Sequence, residues 1–220
     1  MKIDLHIHSD YSRDASGSPK DILRQCRSIG LDGVAITDHN AIKGSLEAFS
    51  IAKEEGVIVV RGVEVSALEG HVLALGVGDL VPRDLPVEET INRIHASGGI
   101  CVAAHPKRFP SGIGLDLTRD AKFDAIEIVN GGSSSSSNKL AKRVADRKRT
   151  AVTAGSDAHA LDQVGRAYTI IDGVDSEDDV LEAIRKGMTS VGGRSRTGTE
   201  GLRYSWETFV EWLRGDFRRL

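Results

Sequence analysis

Short apolar runs that each end in a histidine or a carboxylate recur along this chain, and the recurrence leaves few folds open. Asp4-Leu5-His6-Ile7-His8-Ser9 reads as a strand ending in two histidines. Val34 to His39 ends in Asp38-His39, and Val57 to Glu64 ends in a carboxylate. His71 opens the run Val72 to Gly76, Ile100 to Pro106 carries His105 at its end, and Ala151 to His159 closes with Asp157-Ala158-His159. Side chains at i and i+2 of a strand share a face, so His6 and His8 project together. Alone, such a pair fits a surface feature of an edge strand as well as half a metal site. The repetition decides between them: six of the seven histidines lie at strand termini, and only His95 falls inside an apparent helix, Val87 to Ser97. Core histidines placed for packing would not sort this way.

Helix signals fill the intervals. Ser18-Pro19 reads as an N-cap with proline at the first helical position, and Ile22, Leu23, Cys26 and Ile29 follow at helical spacing before Gly30. Strand two is expected over Gly33 to Thr37, a helix over about Ile42 to Glu55, strand three over Val57 to Val65 and strand four over His71 to Val77. Gly98-Gly99 ends the Val87 helix; strand five spans Ile100 to Ala104 and strand six Ala125 to Val129. A basic amphipathic helix covers Lys139 to Lys148, strand seven Ala151 to Gly155, a late strand Tyr168 to Ile171, and Ser176 caps a helix over Val180 to Lys186. Ser133 to Ser137 reads as a flexible loop, with a mobile rim over a site as the alternative. Trp206, Phe209, Trp212 and Leu213 lie at helical spacing in the tail from Tyr204 to Leu220, a packing or dimer face. Short, β-branched, apolar strands separated by helices predict an α/β fold with a covered parallel sheet. About seven units closing on themselves give a barrel with its site at the C-terminal ends of the strands. An open doubly wound sheet would instead spread the ionisable residues along one edge.

A chain of 220 residues is most simply one domain, 1–220. The formal charge of -3 argues against a general nucleic-acid affinity driven by net charge. Cys26 and Cys101 show no C-x-x-C spacing and read as buried thiols. No run is long and apolar enough to span a bilayer and none reads as a signal peptide, so a cytoplasmic location is the default expectation.

Taken in order, the motifs D-L-H-I-H-S (4–9), S-R-D (12–14), T-D-H (37–39), G-V-E-V-S (62–66), G-H (70–71), A-H-P (104–106) and G-S-D-A-H (155–159) resemble those of the PHP (polymerase and histidinol phosphatase) family. The resemblance covers His6 through His159 and continues weakly through Gly165-Arg166-Ala167. It implies a distorted seven-stranded (β/α) barrel carrying two or three divalent metal ions. It further implies that His6 and His8 bind one ion with Glu64 and Asp157, and that Glu64 bridges to a second ion held by His71 and His105. Asp14, His39 and His159 would hold a third. Asp14 lies in a loop near Asp10, where a turn carboxylate is the alternative, and many family members carry histidine there. Asp38 is expected to orient a neighbour rather than to bind metal.

Mixed imidazole and carboxylate donors suit zinc, manganese or iron, with magnesium also open, rather than a calcium cage. Such ions imply a metal-dependent phosphoesterase in which a metal-activated hydroxide attacks the phosphate ester, with Glu64, Asp157 and His159 at the reacting centre. Arg166, just past the last metal motif, is the leading phosphate-gripping residue; Arg13, Lys107, Arg108, Arg194 and Arg196 are further cations. The nucleotide-directed phosphatases of the family carry a larger insertion between the segments matching His71 and His105, where this chain has room for one helix. That favours a small phosphorylated substrate, and a phosphomonoester over a diester. Action on nucleotides or nucleic-acid ends is the alternative, although aromatic content of 5% leaves little for base stacking. A non-catalytic metal-binding regulatory module is the third possibility. No membrane partner is implied, and the oligomeric state is open.

Overall fold

The computed structural model describes residues 1–198 and 200. Its elements alternate as β1 (Lys2–Ile7), α1 (Pro19–Ser28), β2 (Gly33–Ile36), α2 (Lys43–Glu55), β3 (Ile58–Ala67), β4 (Gly70–Leu75), α3 (Val87–Ala96), β5 (Ile100–Ala103), α4 (Leu115–Asp120), β6 (Ala125–Asn130), α5 (Ser135–Lys148), β7 (Ala151–Gly155), β8 (Ala167–Ile170), α6 (Glu177–Arg185) and β9 (Ser190–Gly193). The strands pair in sequence order, and β1 also pairs with β8, so eight strands close into a barrel, with β9 paired antiparallel along β8. The strand expected late, over Tyr168 to Ile171, is therefore the eighth stave, and the seven-stranded count is one short. Its Thr169 and Ile170 face Ile3 and Lys2 across the seam.

The barrel is mixed where a parallel sheet was expected. β1, β2 and β3 run parallel, as do β5, β6 and β7. β4 runs antiparallel to both its neighbours, because only Leu68 and Glu69 separate it from β3. Two residues can turn a hairpin but cannot carry a parallel crossover. This reversal has a consequence for the site. Ser66 pairs with His71, so the start of β4 lies beside the later part of β3, at the same end of the barrel as the C-termini of the parallel strands.

Local chemistry accounts for the helix starts. Ser18 Oγ accepts from the Asp21 N–H with Pro19 opening α1, and Ser176 Oγ accepts from the Asp179 N–H at α6. The serine run departs from its expected loop. Ser134 caps α5 by accepting from the Ser137 N–H, and Ser135 to Ser137 form the first turn. Serine hydroxyls at a helix entrance satisfy N–H groups that lack helical partners, so the run starts a helix instead of interrupting one. The interval between His71 and His105 holds α3 as its single helix. Strand side chains and the inner faces of the helices fill three apolar clusters, with Ile3, Leu5, Ile36, Leu73, Leu75, Ile100 and Ile126 fully buried. No helix among the described residues is long and apolar enough to cross a membrane. The apolar stripe of the tail, Trp206 to Leu213, lies outside the described residues.

Candidate metal centre

One carboxylate organises the end of the barrel where the strand-terminal histidines converge. Glu64, on β3 and fully buried, has five histidines around its two oxygens. Oε1 lies 2.9 Å from His105 Nε2, 3.0 Å from His71 Nδ1 and 3.3 Å from His6 Nε2. Oε2 lies 2.9 Å from His39 Nδ1 and 3.4 Å from His8 Nε2. Asp157 stands across from it, with Oδ1 at 3.5 Å from His6 Nε2 and 3.3 Å from His8 Nε2. Asp14 reaches in from its loop, with Oδ2 at 3.2 Å from His159 Nε2 and 3.6 Å from His39 Nε2. The structure thus brings all nine expected positions together: His6, His8, Asp14, His39, Glu64, His71, His105, Asp157 and His159.

Four sets of donor atoms within this ring each converge to within 4.8 Å: His6-His8-Asp157, His6-Glu64-His105, His39-Glu64-His71 and His8-His39-His159. Several of these atoms are buried yet make no hydrogen bond, namely His6 Nε2, His8 Nε2, Glu64 Oε2 and His71 Nδ1. Buried polar atoms without partners are costly. Imidazole nitrogens and carboxylate oxygens aimed at common points are what divalent ions require, so the residues fit the ions that the sequence motifs imply.

Residues behind the ring fix its members. Asp38 accepts from Ser9 N–H at 2.6 Å, Ser9 Oγ at 2.7 Å and Ser12 Oγ at 3.0 Å, and Ser12 Oγ in turn accepts from the His39 N–H. It positions its neighbours, as expected. Asp4 accepts from the Ser156 and Gly165 N–H groups at 2.8 and 2.9 Å, tying β1 to the loop that carries Asp157. Glu127, on β6, was not singled out in the sequence. It is buried, sits 3.0 Å from His6 Nδ1, and accepts from the His105 N–H at 2.8 Å. A single acid amid Ala125-Ile126-Ile128-Val129 was the signal available, since a lone carboxylate in an otherwise apolar strand needs a buried partner. Arg108 also gains a definite place, because its guanidinium bonds Asp157 Oδ2. Arg166 lies near the Asp157 loop, its Cβ over Gly131, with its guanidinium 3.8 Å from Asp162 and 3.7 Å from Glu200.

Electrostatics divide the histidines. Burial pushes the Glu64 carboxyl upward, but His71, His6 and His39 override it and hold the group well below the carboxylate range. Burial likewise opposes His6, yet Glu127, Asp157 and Glu64 hold it well above its ordinary value. His39 is raised to about 10 against burial by Glu64 and Asp14, and His159 is raised by Asp14 and Asp157. His8 goes the other way, lowered to about 3 by burial and by His159 and His39. Without metal, the surrounding carboxylates therefore favour the protonated forms of His6, His39 and His159, while burial and its histidine neighbours favour the neutral form of His8. Metal binding needs neutral imidazoles, so loading must expel protons. Calorimetric titration of metal-free protein with zinc in two buffers of different ionisation enthalpy should show net proton release at neutral pH. Equal heats in both buffers would refute these charge states.

The backbone is bent to aim the ring. His105 has φ of 28° and Asp157 of 54°, left-handed conformations that cost non-glycine residues about 1–3 kcal/mol each. Gly155, at the end of β7, permits a close approach of β1. A Cβ there would stand 2.3 Å from His6 Cβ and 2.7 Å from His6 N. Gly155→Ala should lower unfolding stability by about 1–3 kcal/mol through overpacking, and displacement of β1 should reduce bound metal. Chemical denaturation and elemental analysis read the two effects.

The PHP domain family matches residues 4–147 of this chain, and a PHP-associated module matches residues 135–189. The chain belongs to the PHP family. An uncharacterized protein of Methanocaldococcus jannaschii is 38% identical over 141 residues, covering 59% of this chain and 82% of that protein. Phosphoribosyl 1,2-cyclic phosphate 1,2-diphosphodiesterase of Eggerthella lenta is 35% identical over 101 residues, covering 43% of this chain and 38% of that enzyme. Among solved structures, a two-domain protein from Bacteroides vulgatus, described as containing a predicted PHP-like metal-dependent phosphoesterase, superposes with a TM-score of 0.72 at 20% identity. The match covers 88% of this chain and 65% of that one. At that identity the likeness concerns the fold.

Proposed function

We propose that this protein is a metal-dependent phosphoesterase acting on small phosphomonoesters. The observation that carries the reading is the ring of metal-competent side chains, Glu64 and the eight around it, in a chain of the PHP family. In this reading His6, His8, Glu64 and Asp157 would hold one ion, His71 and His105 with Glu64 a second, and Asp14, His39 and His159 a third. Bound divalent ions supply Lewis acidity, which lowers the pKa of water towards neutrality and neutralises charge on a phosphoryl oxygen. The protein's own groups do the rest. Glu64 and Asp157 keep the imidazoles aimed inward, and His159 faces Asp14 at the open side of the ring. Arg108, bonded to Asp157, sets a positive group beside the ring. Arg166 grips the substrate phosphate from the rim, where a guanidinium can make two parallel bonds. The single helix between His71 and His105 supports an open site and a small substrate.

A second reading, removal of phosphate from nucleotides or nucleic-acid ends, is favoured by one feature. Phe109, which follows Arg108, is 95% exposed, and an exposed aromatic face is a surface on which a base can stack. The deciding experiment loads the protein with zinc, manganese or iron and assays a panel of phosphomonoesters, a phosphodiester and short oligonucleotides. Turnover confined to small monoesters supports the first reading; turnover that requires a base, and falls in Phe109→Ala, supports the second. Inactivity on every panel member with metal fully loaded would overturn both. Within the first reading, Arg166→Ala should raise KM about tenfold or more, as expected for a lost charged contact to phosphate, with metal content unchanged. A fall in metal content instead would assign Arg166 to the ring's support.

A further inference from the structure

A second convergence of donor atoms lies around β5, the strand that leads to His105, towards the other end of the barrel. Cys101 is the second residue of β5, His95 lies in the last turn of α3, and Asp124 immediately precedes β6. Cys101 Sγ is 3.4 Å from His95 Nε2 and 3.2 Å from Asp124 Oδ2, and His95 Nε2 is 2.8 Å from Asp124 Oδ2. The thiol is buried, while the His95 and Asp124 side chains are 39% and 27% exposed. Three residues lie between Cys101 and His105, the strand ending at Ala103, and no side chain is common to the two clusters.

The geometry argues against a nucleophilic relay. In a Cys-His-Asp relay the imidazole gives one ring nitrogen to the thiol and the other to the carboxylate. Here the same nitrogen, Nε2, faces both. Sulfur, nitrogen and oxygen therefore bound a single point with one side towards solvent. Zinc bound to such donors has ligand–ligand edges of roughly 3.4–3.6 Å, given bond lengths of about 2.0–2.3 Å in a tetrahedron. The two edges to sulfur are near this already. The His95–Asp124 edge must open by about 0.6 Å to match the tetrahedron, which two partly exposed side chains can accommodate.

We propose that Cys101, His95 and Asp124 form a separate site for a borderline-soft divalent ion of the zinc class, with solvent in the fourth position. Without an ion the site keeps its thiol protonated, since burial and the Asp124 carboxylate both push the Cys101 thiol upward. The bound ion would take the thiolate form and join α3, β5 and the segment entering β6. The ring around Glu64 contains no sulfur donor, which makes the two sites spectroscopically separable.

Cobalt is the probe. Titration of the metal-free full-length protein with cobalt should produce a near-ultraviolet sulfur-to-cobalt charge-transfer band that zinc displaces. The band should persist in Cys26→Ser, whose thiol belongs to α1 and donates to the Leu31 carbonyl, and vanish in Cys101→Ser. His95→Ala, at a partly exposed position, should raise the cobalt concentration for half-maximal band intensity at least tenfold. Absence of the band with cobalt in excess, its persistence in Cys101→Ser, or an unchanged midpoint in His95→Ala would each overturn the proposal. The His95 variant decides the matter should the buried serine unfold the chain.

Discussion

Glu64→Gln should lose hydrolytic activity on the order of a thousandfold, the several kcal/mol expected when metal-derived charge stabilisation fails. The physical reason is concentration of function in one side chain. Five histidines approach the two Glu64 oxygens within 2.9–3.4 Å. An amide of the same shape keeps one weak acceptor and turns an NH2 group towards imidazole nitrogens. It also removes the negative charge that opposes burial and holds His39 high. Two ions should therefore be disturbed together, and elemental analysis of the purified variant should show that loss beside the fall in kcat/KM. Asp14→Asn is the matched comparison. Asp14 is partly exposed and touches only His39 and His159 within the ring, so its loss should weaken one corner and cost distinctly less activity. Small and equal effects in the two variants would remove Glu64 from its bridging role.

The ring was legible in the sequence because strand geometry is periodic and the barrel gives strand ends a common destination. His6 and His8 share a face by the two-residue repeat, and His39, His105, Asp157 and His159 follow strands that run parallel to β1. His71 was legible only as a strand-opening histidine. The Leu68-Glu69 turn, which makes β4 antiparallel, brings its opening residue to the same end of the barrel. What stayed hidden was of two kinds. The closing role of β8 depends on a pairing between Lys2-Ile3 and Thr169-Ile170, a long-range contact that no local pattern encodes. The supporting acids Asp4 and Glu127 are single charges inside apolar runs, and a sequence shows that such a charge needs a partner without showing which. The serine run misled for a different reason. Low complexity suggests a loop, but the same hydroxyls satisfy the first N–H groups of α5.

Glu127→Gln should weaken metal binding about 10- to 100-fold, the usual cost of losing a group that orients a metal-binding histidine, while leaving kcat near its original value once metal is saturating. Glu127 touches no substrate-facing atom of the ring. Oε1 lies 3.0 Å from His6 Nδ1, so that when the imidazole is neutral its proton stays on that nitrogen and Nε2 is turned towards Glu64 and Asp157. Oε2 accepts from the His105 N–H at 2.8 Å and from Asn130 Nδ2 at 3.0 Å, steadying a residue held at a φ of 28°. A carboxylate satisfies the ring N–H, the backbone N–H and the amide N–H at once. Glutamine has the same outline but only one acceptor oxygen, so its NH2 must oppose at least one of those donors. The loss is then a matter of aim and charge, with no cavity to confuse it. Competition against a chelator reads the affinity, and turnover across a metal titration separates a shifted midpoint from a lowered plateau. A lowered plateau at full loading would place Glu127 in the chemistry itself, and an unchanged midpoint would mean that β6 holds His6 and His105 in place without its carboxylate.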